Sequence, residues 1–497
     1  MGAFTMIYQA RQSALAADSG QSAPGRPGYG GGHRDVLSGL FPAAPAPVPL
    51  RWKRRMLIAF AEVLAVCLGA VVLLLRVPGR PWDSLYAEDY YLYVPQALQN
   101  PWHLFSGWEG YLQLVTRLVV QLVTCLPLAD AAKGAAVSGA LVAACCALFI
   151  FHAAAGHIRS VTLRVLLAVA VILLSSAPVE IADSDVNLVW YLLPALFWAV
   201  LWRPRAGAGM TVAGLVGFFV AATSSLVILF APLLAMRLFV LRRPREHAVT
   251  AGWLAGCLLQ APFVVSAAVA GQSRLVGAGG PALGRYNRWD DWLLFYLHDV
   301  VLRSVGWHLS WWLQSRTTTD WATLIVGVAL VAVLGVVFTT QREARPFLVA
   351  AVSTGLVVVM FSLILTPWYV SRPVTGQGEV AARYTALPIL LVEASLIIGA
   401  DCALRRRRDT RTRHPAGQRD DPAAVWPALA VTLLLAFLAG NWVADFRYPS
   451  GRTGISAHQW APVAAAWQRD CQVLRAKAIS STLYHHDYAI PCDHIRF

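Results

Sequence analysis

Charge is in short supply in this chain: 14% of its 497 residues are Asp, Glu, Lys or Arg, against 57% apolar residues, and the mean hydropathy is +0.54. That is too little charge to cover a soluble globule of this size. Acids are scarcer than bases, 27 against 41. The positive excess does not make a nucleic-acid surface, because it sits in short clusters beside apolar runs, Arg51 to Arg55, Arg242 to Arg245 and Arg405 to Arg413, with no basic surface domain to host such a ligand. Neither CxxC nor a mixed His/Cys spacing points to zinc. No apolar core precedes Arg51, so the N-terminal stretch does not read as a signal peptide. The apolar runs also lack strand-like alternation, which argues against a membrane β-barrel.

What the chain does have is uninterrupted apolar sequence. Runs of roughly 17 to 25 residues recur, each long enough to cross a hydrocarbon core of about 30 Å as a helix. The expected fold class is all-α: a polytopic transmembrane helix bundle of about eleven spans, near 56–75, 111–128, 134–154, 161–178, 187–202, 210–232, 248–270, 321–339, 347–367, 383–403 and 425–443. Basic clusters mark the cytoplasmic side. With Arg51 to Arg55 inside, an odd count leaves the C-terminus extracytoplasmic and makes the protein multi-pass in the cell (plasma) membrane. Three units follow: a disordered cytoplasmic tail over 1–50, a transmembrane domain over 51–443 and a small extracytoplasmic segment over 444–497. One stretch resists this count, which puts the acidic Val179 to Asp185 segment inside and Arg203-Pro204-Arg205 outside. A short or re-entrant helix within 179–232 would repair it.

Three polar stretches then face outward, 76–110, about 271–320 and the tail from Asp445. The first contains Trp82-Asp83-Ser84-Leu85-Tyr86-Ala87-Glu88-Asp89-Tyr90-Tyr91. Carboxylates among aromatic rings at a membrane face suit an enzyme working on a lipid-carried substrate better than a pore. The spacing of Asp89, Tyr93, Gln96 and Asn100 puts them on one polar helix face, with Tyr91, Val94 and Leu98 turned toward lipid. Alternatively Pro95 opens a second short helix and leaves Glu88 and Asp89 on the turn before it. Gln113, Arg117 and Gln121 share a face of the next apolar run. An intramembrane arginine there calls for the loop-one acids or a lipid phosphate as its partner, unless it snorkels to the interface. Arg383-Tyr384 opens a late span at its outer end, beyond a loop containing Glu379, and a guanidinium there can clamp a phosphate or simply anchor the helix.

Weaker signals remain. Glu180, Asp183, Asp185, Asn187 and Trp190 either line a cavity or form a solvated turn, and the turn is the plainer reading. The 271–320 stretch carries Arg285, Tyr286, Asp290, Asp291, His298, Asp299 and His308, with His298-Asp299 and His308 read as structural. Cys67, Cys125, Cys145, Cys146 and Cys257 lie in apolar runs and Cys402 at a helix end. Cys471 and Cys492, in the polar tail, are the candidate disulfide, whose closure would contribute roughly 3 kcal/mol in the chain-entropy model.

A long first span, an outward loop with adjacent acids Glu88-Asp89, about ten further spans and a late Arg383-Tyr384 together resemble the GT-C superfamily of polytopic glycosyltransferases. More narrowly, Ala87-Glu88-Asp89, Gly110-Tyr111-Leu112, Arg117 and Pro491-Cys492 are similar to a group of actinobacterial membrane proteins. The resemblance covers about 56–497 through short motifs. It implies inverting transfer of a sugar from a polyprenyl-phosphate donor to an envelope glycan or lipid-linked acceptor, in contact with membrane lipid. By the same analogy Glu88 or Asp89 is the general base, the other acid orients a substrate, and Asp83 stands in reserve. Arg383 and Arg117, with Tyr384, Tyr111 and Gln113, would hold the donor phosphate. No cofactor is required, although Glu88 and Asp89 could ligate a divalent cation. The large soluble C-terminal domain of oligosaccharyltransferase-like members has no counterpart here, which favours a glycan or lipid acceptor over a protein. A transporter or flippase is the rival expectation, with many spans and buried charges but usually paired repeats and midplane charges.

Overall fold

The computed structural model describes residues 37–45, 51–77, 81–86, 88–108, 110–174, 185–270, 296–305, 321–365, 379–413, 425–446, 457–473, 477–483 and 486–496. Glu180, Asp183, the 271–295 and 306–320 stretches with Arg285, Tyr286, Asp290, Asp291 and His308, and the side chains of His298, Asp299 and Glu379 lie outside what is described. The chain is mostly helical. Among the described residues five helices are long and apolar enough to cross a membrane, Trp52–Arg76, Leu128–Gly156, Pro244–Val269, Arg342–Ser362 and Arg383–Arg406, consistent with a multi-pass membrane protein.

In chain order the elements are α1 (Trp52–Arg76), β1 (Ser84–Tyr86), a π-turn (Asp89–Tyr93), α2 (Val94–Gln99), α3 (Leu114–Val123), α4 (Ala131–Ala153), α5 (Val161–Ile172), α6 (Val189–Leu201), α7 (Gly207–Ala221), α8 (Ala231–Val240) and α9 (Ala248–Val269). They continue with α10 (Trp321–Thr340), α11 (Arg345–Leu365), α12 (Glu379–Arg413), α13 (Val425–Ala444), β2 (Ala457–Gln459), α14 (Trp460–Gln468), β3 (Ala478–Leu483) and β4 (His486–Pro491). α1 and α4 run antiparallel, as Gly69 faces Ala144 near one level and Glu62 meets His152 at 3.1 Å nearer the other end. The central α12 is 89% buried over its apolar window and α1 only 11%, so α12 is the axis of the bundle and α1 a peripheral helix showing Phe60, Leu64 and Leu68 outward.

The bundle has two polar ends. At one, Arg76 donates to Ile172 O at 2.8 Å, Leu174 O at 3.3 Å and Phe446 O at 3.3 Å, tying the ends of α1, α5 and α13 together by their otherwise orphaned carbonyls. Asp89 and Asp185 meet at the same end. At the other end Asp401 accepts from the backbone N–H groups of Arg159 and Ser160, just ahead of α5, whose N-cap is Ser160 itself, and Arg203 pairs with Glu246.

This arrangement corrects two predicted spans. The run 111–128 holds only the ten-residue α3, about 15 Å long. Its flanks sit at one end of the bundle: Leu114 N–H bonds Ala222 O at 3.2 Å, and Leu128 N–H bonds Arg496 O at 2.7 Å. The run 210–232 is not one helix either, because α7 stops at Ala221 and Ser225–Phe230 continues into α8, whose Arg237 reaches Val200 O and Glu246 O at the opposite end. Asp185 therefore shares an end with loop one and Arg203 lies at the other, which removes the charge-rule conflict of the sequence count.

α7 and α9 pack side by side through Gly214, Gly217, Gly252 and Gly256. A Cβ on Gly252 would fall 2.0 Å from Gly214 O and one on Gly256 2.5 Å from Phe218 O, so the backbones touch and no side chain fits. Small residues spaced four apart are the usual means of such approach between membrane helices. Residues 37–45, expected within a disordered tail, are packed instead: Leu40 and Phe41 are buried, and Ala44 N–H donates to Arg203 O at 3.1 Å.

A second, smaller core lies beneath the segments flanking the bundle. Leu85, Leu92 and Val94 of loop one pack with Trp460, Trp467 and Ile490 of the tail. β1 pairs antiparallel with β2, β3 with β4, and Cys471 and Cys492 are joined in a disulfide with Cα atoms 5.6 Å apart.

Candidate functional site

Pro95 falls in the first turn of α2, so the π-turn and α2 follow each other as two short elements with Glu88 just ahead of them. The opposite face of this segment does not dip toward lipid as expected. Tyr91 O accepts from Tyr488 Oη at 2.7 Å and Leu98 O contacts His494 Nδ1 at 2.9 Å, so the tail covers it. The remaining face, with Tyr93 and Gln96, turns to Arg117.

The approach to α3 is a sharp loop. Trp108 and Tyr111 exchange backbone hydrogen bonds around Gly110 at φ +91°, and Gln113 takes a left-handed φ of +55°, uncommon for a residue with a Cβ. That conformation seats the buried Gln113 amide where its oxygen accepts from the Tyr93 hydroxyl. One turn on, Arg117 is 4% exposed. Its Nε donates to Leu112 O at 3.0 Å and its Nη1 to Gln96 Oε1 at 3.0 Å and His103 O at 2.8 Å, with the guanidinium carbon 5.1 Å from the Tyr93 ring centroid. Its Nη2 is buried and has no hydrogen-bond partner among the described residues. Every partner of Arg117 is neutral. The loop-one acids expected to pair with it do not, and a guanidinium buried this way costs free energy until an anion meets it.

The surrounding groups respond to the same environment. Burial, reinforced by Tyr111, Glu88 and Asp89 and opposed by Arg117, holds the Tyr93 phenol well above its ordinary pKa. Burial pushes Tyr488 up to about 12 against the pull of Arg117. Burial first, and Arg117 second, lower the pKa of His103, whose Nδ1 lies 3.0 Å from Ser106 Oγ. Both phenols are therefore neutral donors at pH 7 and His103 is a neutral imidazole.

The two adjacent acids differ. Asp89 is 1% exposed and its Oδ2 accepts from Asp185 N–H at 3.0 Å, while Asp185 in turn accepts at its backbone oxygen from Thr116 Oγ1 at 2.8 Å. Glu88 is half-buried and its carboxylate makes no hydrogen bond or ion pair with the described residues. Asp89 is thus built into the junction of loop one, α3 and the segment leading to α6, and Glu88 carries no such tie to the described residues.

Asp83 does not join this group. It sits in the 3₁₀ turn Pro81–Asp83 near Lys133, at the start of α4. Arg383 lies over the Tyr384 ring at 5.2 Å, and Tyr384 meets Trp190 edge-on at 5.1 Å, five residues beyond Asp185, which brings the pair to the same end of the bundle. Asp185, read as part of a solvated turn, is fully buried. Two further residues join the site: His103 is set by a short turn that Asn100 caps on Trp102 N–H at 2.9 Å, a signal legible in the sequence, whereas Tyr488 comes from 397 residues away and no local pattern announces it. Among the described residues no group of three or more His, Cys, Asp or Glu gathers to hold a metal. No protein-family model matches this chain, and comparison with curated proteins finds no significant match.

Proposed function

We propose that the protein is an inverting membrane glycosyltransferase of the envelope, using a polyprenyl-phosphate sugar on the extracytoplasmic side. The observation that carries this reading is Arg117, a buried guanidinium that has only neutral partners and one unused N–H direction among the described residues, while both it and Glu88 of the preceding loop act on Tyr93. Glu88 takes the proton of an acceptor hydroxyl as that oxygen attacks the anomeric carbon. The bond to the donor phosphate breaks with its electron pair on the phosphate, and Arg117 stabilises that charge. Tyr93 and Gln113 hold Arg117 in register, Tyr111 flanks it, and Arg383 with Tyr384 serves the donor farther along the same end. Asp89 orients the loop through Asp185.

The membrane arrangement that fits is eleven passes, α1, α4 to α7, Ser225–Val240 and α9 to α13, with α3 re-entrant. Arg51 to Arg55, Arg203, Arg242 to Arg243 and Arg405 then all lie on the cytoplasmic side, as the positive-inside rule requires. The test is transfer by purified protein in nanodiscs from a panel of radiolabelled polyprenyl-phosphate sugars to envelope glycan acceptors. Turnover that survives both Glu88→Gln and Asp89→Asn would reject the assignment of the base. One observation favours a transporter instead: Glu393, buried in α12, accepts from Trp442 Nε1 at 3.2 Å through one carboxyl oxygen and leaves the other without a hydrogen bond among the described residues. Donor-independent, proton-driven flux in liposomes that Glu393→Gln removes would favour that reading.

A further inference from the structure

At the end of the bundle opposite Asp89, α8 runs out at Val240 and the chain turns at Pro244 toward α9. A pocket of about 230 Å³ opens there, lined by Arg203, Arg242, Arg243 and Glu246 with Phe41 and Leu241 at its apolar side. Three guanidiniums face a single carboxylate. That carboxylate is already committed, since Glu246 Oε1 accepts from Arg203 Nε at 2.6 Å and Glu246 is 8% exposed. Arg242 and Arg243 are exposed and make no hydrogen bond or ion pair with the described residues. The apolar wall is equally fixed, because Phe41 is buried beneath the Arg237 guanidinium at 5.8 Å and the same segment bonds Arg203 O.

The surface beside the mouth is apolar. Phe239 is 81% exposed and Leu238 49%, within a turn of Arg242 on the outer side of α8. Such residues at the end of a membrane helix face acyl chains, so a molecule that places a phosphate against Arg242 and Arg243 and hydrocarbon along Phe239 satisfies both surfaces. We infer that this pocket binds the phosphate of an anionic phospholipid from the leaflet at this end, with Arg242 and Arg243 as its charged contacts and Arg203 held ready by Glu246. The inference is independent of the sugar-transfer reading, since it uses no residue of the Arg117 site.

Full-length protein in nanodiscs of phosphatidylcholine, with phosphatidylglycerol titrated in, provides the test, read by native mass spectrometry of lipid retained on release. Phosphatidylglycerol should be retained in preference to phosphatidylcholine, and R242Q/R243Q should weaken that retention about thirty-fold, two arginines near the surface each contributing about 1 kcal/mol. R245Q, which removes an exposed charge outside the pocket lining, should leave retention within about two-fold of wild type. An equal loss in R245Q would show diffuse attraction and overturn the site. Unchanged retention in R242Q/R243Q, with the protein still monodisperse, would overturn it as well. Displacement of the lipid by inorganic phosphate at equal concentration would assign the pocket to free phosphate and reject the lipid.

Discussion

Arg117 and Arg237 are both buried arginines, at opposite ends of the same bundle, and they are satisfied in opposite ways. Arg237 donates from Nε and Nη2 to Glu246 O at 3.0 and 2.8 Å and from Nη1 to Val200 O, so all three nitrogens bond carbonyls. A carboxylate, that of Glu246, lies beside it, already paired with Arg203. Arg117 has the same kind of carbonyl partners but no acid, and one nitrogen that bonds nothing described. Burial of a cation is therefore not the mark of a site; an unfinished coordination is. Arg237, whose coordination is closed, reads as architecture, and Arg117, whose coordination is open, reads as a place for an anion.

The contrast can be broken most severely at the acid on the loop that precedes Arg117. Glu88→Gln keeps shape and removes basicity, so transfer should fall about 10²- to 10⁴-fold with little change in thermal midpoint, as read by steady-state transfer and a melting curve on the same preparation. Arg117→Ala should cost about 10²- to 10³-fold in kcat, with Arg117→Lys recovering only part of it, because an ammonium cannot satisfy Leu112 O, Gln96 and His103 O while also meeting a phosphate. If Lys restores the full rate, the fork geometry is irrelevant. Arg237→Gln should behave in the reverse manner, lowering stability by about 3 kcal/mol through stranded carbonyls while the surviving folded protein turns over normally. The smallest effect is one of pH. His103 has a folded pKa below its unfolded value of about 6.5, so its contribution to stability is present above that pH and lost as pH falls below it. His103→Gln should flatten the decline below about pH 6.5 in pH-dependent melting, and Arg117→Gln should flatten it less, since burial outweighs Arg117 as the cause.

Hydropathy makes the class of fold plain, and the elements it misassigns show what it cannot see. The run 111–128 has the composition of a span, but Gln113 and Arg117 break it for a reason that only the partners supply: Ala222, Thr223 and Gln260 receive the start of α3 at one end of the bundle. The run 210–232 hides a reversal at Thr223–Ser224, where the Ser224 hydroxyl caps Leu226 N–H at 3.2 Å with no glycine or proline to announce it. Around Arg117, the positions of Asp89, Gln113 and Arg117 itself are legible from spacing, because local helix geometry sets it, and Glu88 only as the acidic neighbour of Asp89. Asp185 is not, since its burial depends on Asp89 and Thr116, 96 and 69 residues earlier. Cys471 and Cys492 stand out as the only cysteines in polar sequence, and they are bonded.

The tail's grip on loop one also sets an order of events in synthesis. Loop one is translated before ten of the eleven proposed passes, yet Tyr91, Leu98 and Leu128 each take a partner from residues 457–496, across separations of 397, 396 and 332 positions. A ribosome-bound chain carries Arg117 and Glu88 in the membrane long before Trp460 or Tyr488 exists to brace them. The packing around loop one is thus completed only after translation has passed the final helix and reached the tail.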